Sequence, residues 1–397
     1  MLQIEDKAPG GAAWLRLGFR PFFLAAIWFG ALVMLVWALV FARRLALPLS
    51  GLAPIAWHGH EMIFGYAVAV IAGFLLTAVR NWTGLMTLRG PLLGLLLGAW
   101  LVPRLLLGLG GAALLPLAAI FDLLFVLALL LALARPILRK RNWAQAGILL
   151  KILLLGVANG LFYLGAVGVW EPGLRVGLYS GLYLVLALIL MLSRRVLPFF
   201  IERGVGYAVT LRNRQWLDIS SLVLFLVLWL ADLWRPDSLP VAVLSLLLLA
   251  LHGLRLAGWY TAGIWRRPLL WSLYLAYVAI VAGFGLKAAV TGFGISPYLA
   301  LHAFAVGGIG LMTAGMMARV ALGHTGRDIG RPPAPIALVF GLLLAAGLFR
   351  VLLPLLDLSH YRLWVEWAQG LWVLAFVVLG AVYTRILLTP RVDGRDG

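Results

Sequence analysis

Two short stretches carry residues able to do redox or proton chemistry. Trp57-His58-Gly59-His60-Glu61-Met62 sets two imidazoles and a carboxylate side by side, and no charged residue follows from Ile63 to Val79. His302 opens a second stretch, LHAFAVGGIGLMTAGMM, rich in small residues. Neutral imidazole is a common metal ligand and titrates near neutral pH, and a carboxylate can relay protons. One imidazole on each of two helices at matching depth is what a bis-histidine b-type haem requires. The pair His58 and His60 is not a zinc-protease motif, which needs two histidines four apart. On a helix the two rings point about 200° apart. One can face the bundle while the other caps, faces a neighbour or takes a second metal such as copper; a pair hydrogen-bonded to loops is the structural alternative. Gly307, Gly308 and Gly310 either let helices pack closely or leave room for a flat macrocycle. Met62, Met312, Met316 and Met317 read as packing residues.

The elements that position these groups are membrane helices. The chain has 397 residues, 64% hydrophobic and only 12% charged, with a mean hydropathy of +1.04; a soluble domain is about half apolar and a quarter charged. The net charge of +18 does not imply a nucleic-acid partner, because the basic residues punctuate apolar runs as membrane loops do. The absence of cysteine excludes disulfides, iron–sulfur clusters and thiolate ligation. The N-terminus carries no signal-peptide core. The expected fold is all-α: one transmembrane domain, 1–397, with spans near 20–42, 57–80, 91–108, 112–134, 143–168, 174–196, 217–234, 240–262, 269–290, 297–322, 333–355 and 362–387. The side holding the N-terminus and the even-to-odd loops carries 22 of the 32 basic residues, which makes both termini cytoplasmic.

This topology assigns depths. His58, His60 and His302 fall at the outer ends of spans 2 and 10, His252 near mid-membrane and His324 at the inner end of span 10. Arg104, Lys287 and Arg350 fall toward the outer ends of spans 3, 9 and 11, where they could neutralise haem propionates. Asp122, Lys151 and Asn159 could pair across spans 4 and 5 or line a proton path. A faint echo recurs every four spans: spans 2, 6 and 10 each end in an apolar run reaching a basic residue. Three arcs of four helices, the architecture of haem–copper oxidase core subunits, would produce such an echo.

Four blocks read together: Gly18-Phe-Arg-Pro-Phe-Phe23, Trp57-His-Gly-His-Glu-Met62, Arg212-Asn-Arg214 and Gly323-His-Thr-Gly-Arg327. In this order they resemble the NnrS family over nearly the whole chain. The resemblance implies a twelve-span bacterial inner-membrane protein associated with nitric oxide stress and denitrification, containing haem and copper. By position, His58, His60, Glu61, His302, Arg319, His324 and Arg327 match the family's blocks. Which of them bind metal is read from depth: haem b between His302 and His60, or His58 in its place, with His58, His252 and His324 as further metal-ligand candidates.

The function expected is binding of nitric oxide in the bilayer and its reduction or detoxification. Glu61, then Glu366, would be the proton-handling carboxylates, and quinol or an external donor would supply electrons. The alternatives are a secondary carrier for an anionic solute and a non-catalytic haem sensor. The charge asymmetry makes one prediction testable in a chain without native cysteine. A single cysteine at Trp170 should label with a membrane-impermeant maleimide in intact cells, and one at Gly394 should not. Labelling at Gly394 would reverse the topology.

Overall fold

A computed structural model describes residues 11–46 and 51–395, and all of its regular structure is helical. The N-terminal stretch read above for a signal-peptide core begins outside these residues. Among the described residues twelve helices are long and apolar enough to cross a bilayer: α1 Phe19–Phe41, α2 Pro54–Thr83, α3 Pro91–Leu109, α4 Ala112–Arg139, α5 Trp143–Ala166, α6 Gly173–Gly204, α7 Gln215–Trp234, α8 Leu239–Trp259, α9 Pro268–Phe293, α10 Pro297–His324, α11 Pro335–Leu356 and α12 Tyr361–Leu388. The chain is a multi-pass membrane protein, and each helix overlaps one expected span. The largest differences are at α4 and α6, which run on through Pro136 and Pro198. Neighbouring groups can satisfy the carbonyl that an internal proline frees in a membrane helix, so proline is a weaker stop there than in water.

Boundaries follow ordinary helix chemistry. Proline occupies the first turn of α2, α3, α9, α10 and α11, where an N–H would have no intrahelical partner. Gly84 closes α2 at φ +68°, the left-handed position glycine fills without a Cβ clash. Burial varies sharply among the spans. In the most apolar window of α2, α6 and α10, 78%, 67% and 83% of residues are buried, and no other helix exceeds 61%. The most buried helices therefore recur every fourth span, as the sequence echo does.

The chain divides into two compact units. One comprises Met1–Val185, Met317–Ile329 and Phe376–Gly397; the other comprises Leu186–Met316 and Gly330–Ala375. In the first, the Gly18–Phe23 block has a packing role. Phe19, Phe22 and Phe23 are fully buried with Arg20, and Arg20 Nη1 donates to the carbonyls of Leu387 (2.8 Å) and Thr389 (2.7 Å). A guanidinium on the last carbonyls of α12 satisfies acceptors that the helix itself cannot and opposes the negative end of its dipole. Thr77 Oγ1 accepts from Phe19 N at 3.0 Å, joining α2 to the start of α1.

The α5–α6 contact in this unit is backbone against backbone. A Cβ at Gly177 would lie 2.5 Å from Ala158 O and 2.6 Å from Phe162 N, and neither atom can swing aside. Helices in lipid gain nothing from burying apolar surface against each other, so such small-residue approaches carry their association. Gly177→Ala should cost about 1–3 kcal/mol, read as a lowered thermal-unfolding midpoint in detergent. Gly160→Ala, whose Cβ would meet only Leu123 Cδ2 at 3.9 Å, should be near neutral. Equal effects at the two sites would show that the α5–α6 approach is not limiting.

Candidate functional site

The His-x-His-Glu stretch lies where α2 changes its winding. Pro54–His60 is α-helical, Glu61–Ala67 winds as a π-helix, and Val68–Thr83 returns to α. A π turn displaces backbone hydrogen bonds and leaves carbonyls to be satisfied from outside, which is why such turns gather at functional sites. Here α3 supplies both donors. Arg104 Nη1 donates to Phe64 O at 3.1 Å and Trp100 Nε1 to Gly65 O at 3.0 Å. Gly65 keeps the turn narrow: its Cβ would fall 3.1 Å from Glu61 Oε2 and 2.7 Å from the Phe29 ring.

Around this turn a closed polar network forms from α2, α3, α4 and α5. His60 Nδ1 lies 2.9 Å from Glu61 Oε1, and His60 Nε2 lies 3.0 Å from Asn159 Oδ1 and 3.4 Å from Asp122 Oδ2. Arg104 Nη2 donates to Asp122 Oδ2 at 2.6 Å, while Nε is within ion-pair reach of Glu61 Oε2 at 3.0 Å. Tyr163 Oη donates to the same Asp122 oxygen at 3.0 Å. His60, Glu61, Asp122 and Asn159 are at most 1% exposed. Phe162 stacks on the His60 ring at 4.4 Å, with Phe64 at 5.1 Å.

Charge counting limits what this network can be. Two carboxylates face one guanidinium, so with both ionised the balance requires a proton on the imidazole, whose two nitrogens each face an oxygen acceptor. Burial makes any uncompensated charge costly. The arrangement can hold or pass a proton between His60 and Glu61 without breaking the Arg104–Asp122 pair. It does not leave His60 with a ring nitrogen free for a metal. His58, two residues earlier, points elsewhere and stacks on Trp37 at 4.5 Å and 9°. The divergence expected of a two-residue spacing is thus observed.

In the other unit α10 repeats the winding of α2. Pro297–His302 is α-helical, Ala303–Gly310 is a π-helix, and Leu311 begins a further α-helix. His302 Nδ1 is 2.7 Å from Tyr298 O. A carbonyl only accepts, so in the neutral ring Nδ1 carries the proton and Nε2 presents its lone pair.

A family model described as NnrS protein matches residues 13–391. The chain belongs to the NnrS family. That family is associated with the nitric oxide response. No curated protein matches the chain. Two of the blocks by which it resembles NnrS proteins meet in the first unit: the Phe19 ring lies 5.6 Å from that of His324, and Arg20 and Arg327 both donate to Thr389, at its carbonyl and its hydroxyl. His324 sits in the field of Arg20, Arg80 and Arg391, a poor setting for a metal cation.

The remaining sequence candidates of this NnrS-family chain divide clearly. His252 Nδ1 is 2.9 Å from Arg255 Nη1 and 2.7 Å from Tyr277 Oη. Arginine only donates, so Nδ1 accepts, its lone pair is engaged, and the proton resides on Nε2. Lys287 is held by Asp232 (2.7 Å) and Asp237 (3.2 Å), and Arg104 by Asp122; two of the three cations expected to meet propionates are committed to internal carboxylates. Glu366 pairs with Arg362 at 2.8 Å on a half-exposed face. Lys151 donates to Gly147 O of its own helix. The glycines 307, 308 and 310 leave no slot, because Cβ atoms there would collide with Ala279, Ile280 and Trp372. Among the described residues no three His, Asp or Glu side chains converge as a metal would need.

Tyr163, Asp218 and Asp232 were not singled out from the sequence. Their signal was present as lone polar groups inside or at the edge of apolar runs, each demanding a partner. The network makes a measurable claim. Arg104→Met strands two buried carboxylates and should cost about 3–5 kcal/mol, seen in chemical unfolding of the detergent-solubilised protein. Arg104→Met with Asp122→Leu should lose less than Arg104→Met alone. A double variant at least as unstable as the single would rule out charge burial as the cause.

Proposed function

We propose that this protein is a haem-containing bacterial inner-membrane protein, with both termini cytoplasmic, that binds nitric oxide and reduces or otherwise detoxifies it. Membership of a family associated with the nitric oxide response supports the substrate. The observation that carries the cofactor is the His302 tautomer. A metal-binding imidazole ordinarily donates its other N–H to a carbonyl or carboxylate, and Tyr298 O receives that bond here. The donor set fits a b-type haem in a chain without cysteine: a neutral imidazole nitrogen is a suitable axial ligand. His302 is therefore the ligand in this reading. His60 is given a proton-handling role with Glu61, and no residues are assigned to copper.

A bound haem would supply a site for nitric oxide and a path for electrons. The rest falls to the chain. Joining two molecules of nitric oxide to form N2O and water consumes two electrons and two protons. The electrons come from quinol or an external donor. Glu61 can take up and release a proton while its neighbour Arg104 stays paired with Asp122, and His60 Nδ1 lies 2.9 Å from Glu61 Oε1 as the adjoining carrier. An amide at Glu61 preserves shape and loses this capacity.

Anaerobic purification, an optical spectrum and headspace N2O test the reading together. The expected spectrum has a Soret band that shifts on reduction, and His302→Ala should lose the haem or change its coordination. Glu61→Gln should keep haem content and lower N2O formation by about 10²-fold or more. Wild-type protein without a chromophore would overturn the cofactor; a haem spectrum without N2O would leave a binding protein, and wild-type turnover in Glu61→Gln would remove Glu61 from proton handling.

A further inference from the structure

The two π-turned helices differ at one position that matters for charge. In α2 the first residue of the π segment, directly after His60, is Glu61; in α10 the first residue after His302 is Ala303. The helix that follows each also carries an arginine. Arg104 of α3 reaches the α2 turn. Arg350 of α11 lies in a short π segment of its own, Leu348–Leu352, which packs against both the His302 turn and the Ala303–Gly310 segment. A Cβ at Gly347, just before it, would be 3.6 Å from Gly307 Cα. Arg104 meets two carboxylates. Arg350 meets none.

Arg350 is 8% exposed, and no described carboxylate lies within ion-pair distance of it. Its neighbours are the Tyr361 ring, 5.7 Å from the guanidinium carbon, and the Tyr361 hydroxyl. Nη1 is buried without a hydrogen-bond partner. The acids next in sequence are engaged elsewhere: Asp357 Oδ2 is 2.7 Å from His360 Nδ1, and Glu366 Oε1 is 2.8 Å from Arg362 Nε. Arg255 and Lys287 in the same unit have carboxylates at 2.9 and 2.7 Å. An arginine cannot shed its proton in a protein, and an isolated charge inside a membrane protein costs several kcal/mol. The described residues supply no compensating anion, which leaves room for one from outside.

We infer that Arg350, beside the His302 turn and Tyr361, is the binding group for a small planar oxyanion, a carboxylate or a nitrite- or nitrate-like ion. The guanidinium fork matches two coplanar oxygens in a bidentate pair, and the tyrosine hydroxyl is a further donor. The anion can be the carboxylate arm of a bound haem, in which case the inference rests on the reading above, or an ion taken from solution.

The test uses the full chain in phosphatidylcholine nanodiscs, prepared with and without haem. Thermal unfolding is followed against sodium formate, nitrite and nitrate, with chloride holding ionic strength constant. In haem-free protein the oxyanions should raise the midpoint beyond chloride, and Arg350→Gln should abolish the increment. If the haem carboxylate is the natural occupant, haem-loaded protein should show no increment and Arg350→Gln should release haem more readily. If a free ion is, both preparations should respond. Should Arg350→Gln not fold, Arg350→Lys keeps the charge without the fork and should bind formate at least about tenfold more weakly. An Arg350→Gln response equal to wild type, a Lys variant of unchanged affinity, or haem-free wild type indifferent to every oxyanion would overturn the site. Protein that never takes up haem yet responds through Arg350 would overturn the cofactor reading and leave this one standing.

Discussion

A charge placed inside a membrane helix has to be neutralised by the protein or by a group bound to it, since lipid offers neither water nor counter-ions. This condition shapes both units. Arg104 joins α3 to Asp122 of α4 at 2.6 Å, Arg255 joins α8 to Asp218 of α7 at 2.9 Å, and Lys287 joins α9 to Asp232 of α7 at 2.7 Å. Each pair links two helices that apolar burial cannot hold together, because lipid tails are as apolar as leucine. Breaking one partner leaves the other buried and unpaired, which costs far more than the intact pair contributes. The pairs therefore act more as specificity devices, fixing which helix faces which, than as sources of stability.

The backbone is subject to the same condition. A π turn inside a bilayer leaves carbonyls unsatisfied unless a side chain reaches them, and in α2 the reaching group is also the cation that neutralises Asp122. Arg104 thus answers two demands from one position: Nη1 serves Phe64 O while Nη2 serves the carboxylate. That coupling explains why the imidazole, both acids and the turn occur together. Moving any one of them unsatisfies the others. Asn159 and Tyr163 close the rim from α5, and the backbone-close contact at Gly177 holds α5 against α6 at Phe162, the ring that stacks on His60.

Hydropathy made the twelve helices legible, because their length is set by the bilayer and their ends by proline and loop charge. The helical period also separated His58 from His60 correctly. What sequence could not supply was the neighbour of each helix. Arg104 and Lys287 read as free cations near one membrane face, whereas Asp122 and Asp232 lie far enough away in sequence that nothing local announces the pairing. The glycines of Ala303–Gly310 were ambiguous for a different reason. A missing Cβ admits a cofactor or a neighbouring side chain equally, and Ala279, Ile280 and Trp372 take the space. Nor does composition foresee a π turn, which depends on donors arriving from another helix. The tautomers of His252 and His302 follow from Arg255 and Tyr298, so they too became readable only with the fold.

The contrast between the two turned helices then carries chemical meaning. At α2 the imidazole, the acids and the guanidinium neutralise one another, so both His60 nitrogens are spent inside the network. At α10 alanine stands where α2 has the acid, the imidazole holds a carbonyl through Nδ1, and the arginine from the next helix has no described carboxylate within ion-pair distance. A self-neutral cluster can exchange protons without gaining or losing a ligand. A single side chain, at the point where the helix changes its winding, thus sets the two turns apart in charge.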